Sequence, residues 1–180
     1  MWLCPTALKC TYGRYIFHTL SRWAILTSLL TTGLFLAAGT THVALLRAYI
    51  VVFAVLLLVT MLAVQPELAQ ERAHPGGDGQ DQGVRFSSGF LFLVTVGAAA
   101  MDVGRLHQSN NVRLALSVLA LCVFATALGF QAWAMVVNPF FSPVIRIQAE
   151  RGHCVITRGP YRWLRHPGYI AVVYCESRPF

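Results

Sequence analysis

The sequence predicts an all-α integral membrane protein: four transmembrane helices plus the start of a fifth, with a cytoplasmic surface segment before it. Three observations predict it. Of the 180 residues, 56% are hydrophobic and only 12% are charged, where a soluble domain carries about 25% charged residues. The mean hydropathy is +0.59. The apolar residues are gathered into long uncharged runs rather than spread at the spacing of amphipathic surface helices.

The N-terminal tail, residues 1–22, carries Lys9, Arg14 and Arg22. The region 23–137 holds the four runs. Residues 23–38 (WAILTSLLTTGLFLAA) carry no charge, and residues 43–64 carry only Arg47, near one end. Residues 89–101 (GFLFLVTVGAAAM) are short but extend through Ser87 and Ser88, and residues 114–137 are uncharged. Crossing the hydrocarbon core takes roughly 17–25 helical residues, so the second and fourth suffice alone and the first and third look short. The first run has the alternative of being a signal peptide, since basic residues precede it and Ala37-Ala38-Gly39 suits cleavage. The closeness of the second run favours a helical hairpin instead.

Charge sets the expected orientation. With four crossings, the tail, the 65–86 loop and the 138–166 segment share one side, and ten of the fourteen basic residues lie there. Basic short loops stay cytoplasmic. The net charge of +7 then reads as attraction to anionic membrane lipids. No nucleic-acid partner is expected, because no basic-aromatic platform or finger pattern is present.

Between the runs, Pro66-Glu67-Leu68 reads as a helix start, with proline in the first turn and an acid at the positive end. The "GGDGQDQG" that follows is turn material without EF-hand ligand spacing. Asp102, Arg105 and His107 read as ordinary interfacial groups, a small network being the alternative. Cys122 reads as a packing residue within the membrane, and Cys154 as a free thiol. No metal site is expected: His153, Cys154 and His166 fit no standard zinc spacing.

Residues 138–174 depart from the membrane pattern. Asn138-Pro139 ends the fourth helix, since the residue before proline avoids helical geometry. "VIRIQAERG" and "HCVIT" alternate apolar and polar residues, as a strand-like or irregular surface lid does. Then comes "GPYRWLRHPGYI", residues 159–170. Gly159-Pro160 makes a turn, and Tyr161 and Trp163 suit an interface. Arg162 and Arg165, three apart, would share a helical face. Pro167 can open a new helix, Gly168 permits close approach, and Tyr169 begins the fifth run. A helix N-terminus flanked by Arg165 and His166 suits an anion; a basic collar that only meets headgroups is the alternative.

"GPYRWLRHPGY" resembles the Arg-His-Pro-x-Tyr motif of the isoprenylcysteine carboxyl methyltransferase family. "NPFFSPVIRIQAERGHCVITRGPYRWLRHPGY" (138–169) resembles its bacterial branch almost throughout, and "QPELAQERAHP" (65–75) resembles its early loop. The resemblance implies an S-adenosylmethionine-dependent membrane methyltransferase, multi-pass in the bacterial inner membrane, acting on a lipophilic or small-molecule acceptor. It implies catalytic roles for Arg165 and His166, and cofactor binding by His166, Pro167, Gly168, Tyr169 and Tyr161. Ala171 stands where a glycine is frequent. Family members continue into a helical hairpin and a Glu-Glu segment, whereas residues 175–180 (CESRPF) turn polar. The expectation is a C-terminally truncated form, with both an active and an inactive chain left open. Two alternatives stay open: a non-catalytic membrane fragment, and a relative of the NADPH-dependent sterol-type reductases, which carry a similar motif.

Overall fold

The computed structural model describes residues 5–73, 82–108, 112–142, 152 and 154–167. The regular structure among them is helical, without strands. In chain order it comprises α1 (Pro5–Ala38), α2 (Ala44–Ala63), α3 (Pro66–Ala73), α4 (Gln82–Met101), a π-helical turn (Asp102–Leu106), α5 (Leu114–Val137) and a 3-10 turn (Gly159–Arg162). Four stretches are long and apolar enough to cross a membrane: Arg14–Ala38, Ala44–Ala63, Phe86–Leu106 and Leu114–Val137. The all-α multi-pass membrane fold is the one the composition predicts.

The first and third spans are longer than their apolar runs. They reach 25 and 21 residues, because nothing in residues 14–22 breaks a helix and because α4 runs on through the π-helical turn. Arginines at the ends of such spans reach outward on flexible stems to the polar interface. The fifth run, from Tyr169, lies outside the described residues, as does most of the alternating 144–157 segment. Its described part, residues 152 and 154–157, is neither helix nor strand.

Polar ties hold α1 and α2 as an antiparallel pair. The Trp23 indole N–H donates to the Ala54 carbonyl at 2.8 Å, and the Tyr15 hydroxyl donates to the Val64 carbonyl at 3.3 Å. In hydrocarbon, a donor without water must find a protein acceptor. The hydroxyls of Thr27, Thr60 and Thr126 meet the same requirement within their own helices, donating to the carbonyls of Trp23, Leu56 and Cys122.

The core lies where α1, α2 and α4 meet: Leu34, Ala38, Leu46, Tyr49, Val96 and Ala100 are buried together, and Phe124 of α5 packs against them. The Tyr49 and Phe124 rings lie 4.8 Å apart between centroids, a contact worth about 0.5–1.5 kcal/mol beyond area burial. Ala38 and Ala100 are small enough for helix backbones to approach closely. Val51, Val55 and Val59, four residues apart on α2, point outward. Cys122 is exposed on α5 rather than packed, so its expected packing role does not hold among the described residues.

At one end of the bundle the π-helical turn clasps the end of α1. A Cβ at Gly104 would overlap the Ala38 backbone carbonyl, so only glycine allows this approach. The Arg105 Nη2 donates to the Leu36 carbonyl at 2.9 Å, which satisfies one of the carbonyls a helix C-terminus leaves open. Asp102 takes the backbone N–H of His107 at its own carbonyl, 2.7 Å, and that of Gln108 at Oδ1, 2.9 Å. His107 adopts a left-handed φ of 56° to close the turn. Asp102 and Arg105 thus cap two different helix ends.

At the opposite end lies α3, starting at Pro66 as its sequence predicts. Its Leu68 is 1% exposed and packs with Val64 and Met135, with Phe141 against them. Burying such a leucine is worth about 1.5–3 kcal/mol. The start of α1, the end of α2, α3 and the 138–142 turn therefore share one end of the bundle.

Candidate functional site

α5 ends where its sequence changes from apolar residues to Asn138-Pro139. The Asn138 backbone N–H still donates to the Ala134 carbonyl, at 3.1 Å. Its side chain does two further things. Oδ1 accepts the Phe140 backbone N–H at 2.9 Å, the local bond by which asparagine nucleates turns. Nδ2 donates to the Tyr161 hydroxyl at 3.0 Å. The Phe141 N–H to Asn138 carbonyl bond (3.2 Å) and the Ser142 N–H to Phe140 carbonyl bond (2.7 Å) complete the turn.

The segment 159–163 folds back onto this end of α5. Gly159 has φ +61°, a left-handed conformation that glycine adopts without a Cβ penalty. A Cβ there would also lie 3.0 and 3.1 Å from the two Val137 methyls, so glycine is needed on both counts. Pro160 is fully buried, and its carbonyl accepts the N–H groups of both Trp163 (3.2 Å) and Leu164 (3.1 Å). Trp163 meets Trp133 of α5 edge to face, 6.2 Å between centroids, and Trp133 in turn meets Phe130 at 6.1 Å. Burial pushes the Tyr161 phenol above its ordinary pKa of 10.0, and the Asn138 hydrogen bond opposes that in part.

Of the residues implicated by the sequence, Tyr161 is half-buried and turned to Asn138, Arg165 and His166 are exposed, and Pro167 is fully buried. Pro167 itself has helical geometry. Gly168 and Tyr169 lie outside the described residues. Arg162 and Arg165 do not share a helical face: the 3-10 turn closes at Arg162, and Arg165 sits in a bend. Pro160 and Pro167, both buried, pin the two ends of the exposed stretch that carries Arg162, Trp163, Arg165 and His166. This arrangement presents two guanidinium groups, an imidazole and an indole, 69% exposed in Trp163, on a fixed loop. Such a set suits a ligand with both anionic and cationic parts.

Sequence reasoning took Asn138 only as a helix stop and passed over Trp133. An asparagine before proline at a helix end signals a side-chain-capped turn, and that signal was present. The pairing with Tyr161, 23 residues away, has no local signature.

α3 adds a second layer. The Ser142 hydroxyl donates to Glu71 Oε1 at 3.1 Å. The Arg72 Nη1 donates to the Phe141 carbonyl at 3.4 Å, and its guanidinium lies 5.4 Å from the Phe141 ring centroid.

No curated protein and no solved structure matches the chain. One family model does, over residues 118–177, from the second turn of α5 through the folded-back segment. Through this stretch, one third of its length, the chain carries the sequence pattern of the isoprenylcysteine carboxyl methyltransferase (ICMT) family, as its "GPYRWLRHPGY" implies.

Proposed function

We propose that the chain forms the methyl-transfer site of an S-adenosylmethionine-dependent membrane methyltransferase, at the cytoplasmic face of a bacterial inner membrane, acting on a lipophilic or small-molecule acceptor. One observation carries this reading: the ICMT family match covers the end of α5 and the loop that presents Arg165 and His166. The match lends the reductase alternative no support.

The described residues fit such a cofactor by their chemistry. An exposed guanidinium at Arg165 suits its carboxylate, and the Trp163 ring face suits its sulfonium. When bound, the cofactor supplies an activated methyl group. The chain's own contribution is alignment and exclusion of water. Arg165 holds a carboxylate in a forked pair of hydrogen bonds. A carboxylate acceptor, with an ordinary pKa of about 4, is already ionised at neutral pH, so no base is required for it. For a thiol or amine acceptor, His166 takes the proton. Placing this loop at the end of a transmembrane helix lets a lipophilic acceptor approach from the bilayer.

Calorimetric titration of the detergent-solubilised chain with S-adenosylmethionine tests the proposal. Saturable binding that weakens in Arg165→Ala is expected. Absence of binding overturns the reading, and equal affinity in the variant overturns the assignment of Arg165.

A further inference from the structure

We infer that α3 is a positioning element for the methyl-transfer site, with Glu71 and Arg72 as its positioning residues; the inference rests on the function proposed above. Three contacts join α3 to the 138–142 turn. Glu71 accepts the Ser142 hydroxyl at 3.1 Å. Arg72 donates to the Phe141 carbonyl at 3.4 Å and lies over the Phe141 ring at 5.4 Å. Beneath them Leu68 fixes α3 to Met135 in the last turns of α5.

The held turn is the one that aims Asn138. Phe140 and Phe141 both return backbone N–H groups to Asn138, at 2.9 and 3.2 Å. The far side of the same asparagine donates to Tyr161, in the loop that carries Arg165 and His166. A short path of hydrogen bonds and backbone therefore runs from α3 to the site. Glu71 and Arg72 grip residues 141 and 142, those residues fix the turn, and the turn fixes the amide that holds Tyr161.

Two features argue that this grip is more than incidental surface contact. Glu71 is only 9% exposed, and an acidic side chain taken out of water needs partners that offset its desolvation. The contacts also reach across 69 and 71 residues of chain, and one partner lies outside the 118–177 family match. The loop between the second and third spans thereby acts on a site built by the fourth.

The test uses the full chain in detergent, labelled with 3-fluorotyrosine, with the Tyr161 fluorine resonance assigned through Tyr161→Phe. Glu71→Ala and Ser142→Ala remove the hydrogen bond, while Glu71→Gln keeps an acceptor. In the first two the Tyr161 resonance is expected to shift in the direction seen in Asn138→Ala, and Glu71→Gln is expected to stay near wild type. In methyl-transfer kinetics, the cofactor KM of Glu71→Ala is expected to rise roughly fivefold, as for loss of one ordinary hydrogen bond, with kcat changed less than about twofold. A Tyr161 resonance unmoved in Ser142→Ala, the mildest change, overturns the inference. A wild-type chain without methyl transfer overturns the proposed function instead, and the resonance then decides by itself whether α3 holds the turn.

Discussion

The side-chain amide of Asn138 donates to the hydroxyl of Tyr161 at 3.0 Å, joining the residue that caps a transmembrane helix to the loop that carries the conspicuous arginines and histidine. The burial of that hydroxyl has a pH consequence. The folded-state pKa of Tyr161 is raised by burial, so the folded protein keeps the phenol neutral where the unfolded chain ionises. The associated stability is complete below pH 10 and is lost as pH rises through the folded value. Wild-type unfolding midpoints are expected to fall more steeply above pH 10 than those of Tyr161→Phe, followed by helical circular dichroism in detergent.

Asn138→Ala should destabilise by about 1–3 kcal/mol, because it removes the Phe140 cap and leaves a half-buried phenol without its donor. If Tyr161 stays buried, its pKa should rise further, since the Asn138 bond lowers it. Ultraviolet titration of the tyrosines against Tyr161→Phe reads this directly.

Gly159→Ala meets two penalties, a φ of +61° and two Val137 methyls at 3.0 and 3.1 Å. The expected cost is about 1–3 kcal/mol. Adding Val137→Ala should recover only part of it, because the backbone strain remains. Thermal unfolding of the single and double variants separates the two contributions.

Arg165→Ala and His166→Ala should each lower methyl transfer roughly 30-fold or more, as loss of a charge-assisted partner that bound ligand buries costs about 2–5 kcal/mol. Arg162→Ala should cost nearer ~1 kcal/mol, the worth of a headgroup contact. Labelled methyl transfer to prenyl-cysteine or lipid acceptors is the measurement. Equal, small losses at all three would mark the loop as an interfacial collar.

Cys154 is exposed within the segment assigned to the cytoplasm by its basic residues. It should resist an impermeant thiol reagent in intact cells and react after permeabilisation. Labelling from outside would reverse the orientation.

Much of the architecture was legible because a membrane span announces itself by composition. The runs at 43–64 and 114–137 became α2 (Ala44–Ala63) and α5 (Leu114–Val137) almost residue for residue. The ends were less legible. Arg14 and Arg22 look like tail residues, yet the helix continues through them because an arginine can reach the interface along its own stem. Pro66 and Gly159-Pro160 were readable as local backbone chemistry. Their partners were not: Glu71 with Ser142, Trp133 with Trp163, and Gly104 with Ala38 are set by how helices stack. No spacing in the chain encodes that stacking.

The indole of Trp23, bound to the Ala54 carbonyl, makes the α1–α2 pair a ratchet with a single seat. Sliding α1 along α2 by half a turn, about 2.7 Å, would carry that N–H away from its carbonyl and leave it in hydrocarbon, at a cost of several kcal/mol. Thinning or thickening of the bilayer therefore cannot be met by slippage between these two helices. The pair must lean as one body, so a change in membrane thickness reaches the loops at its ends as a change of tilt.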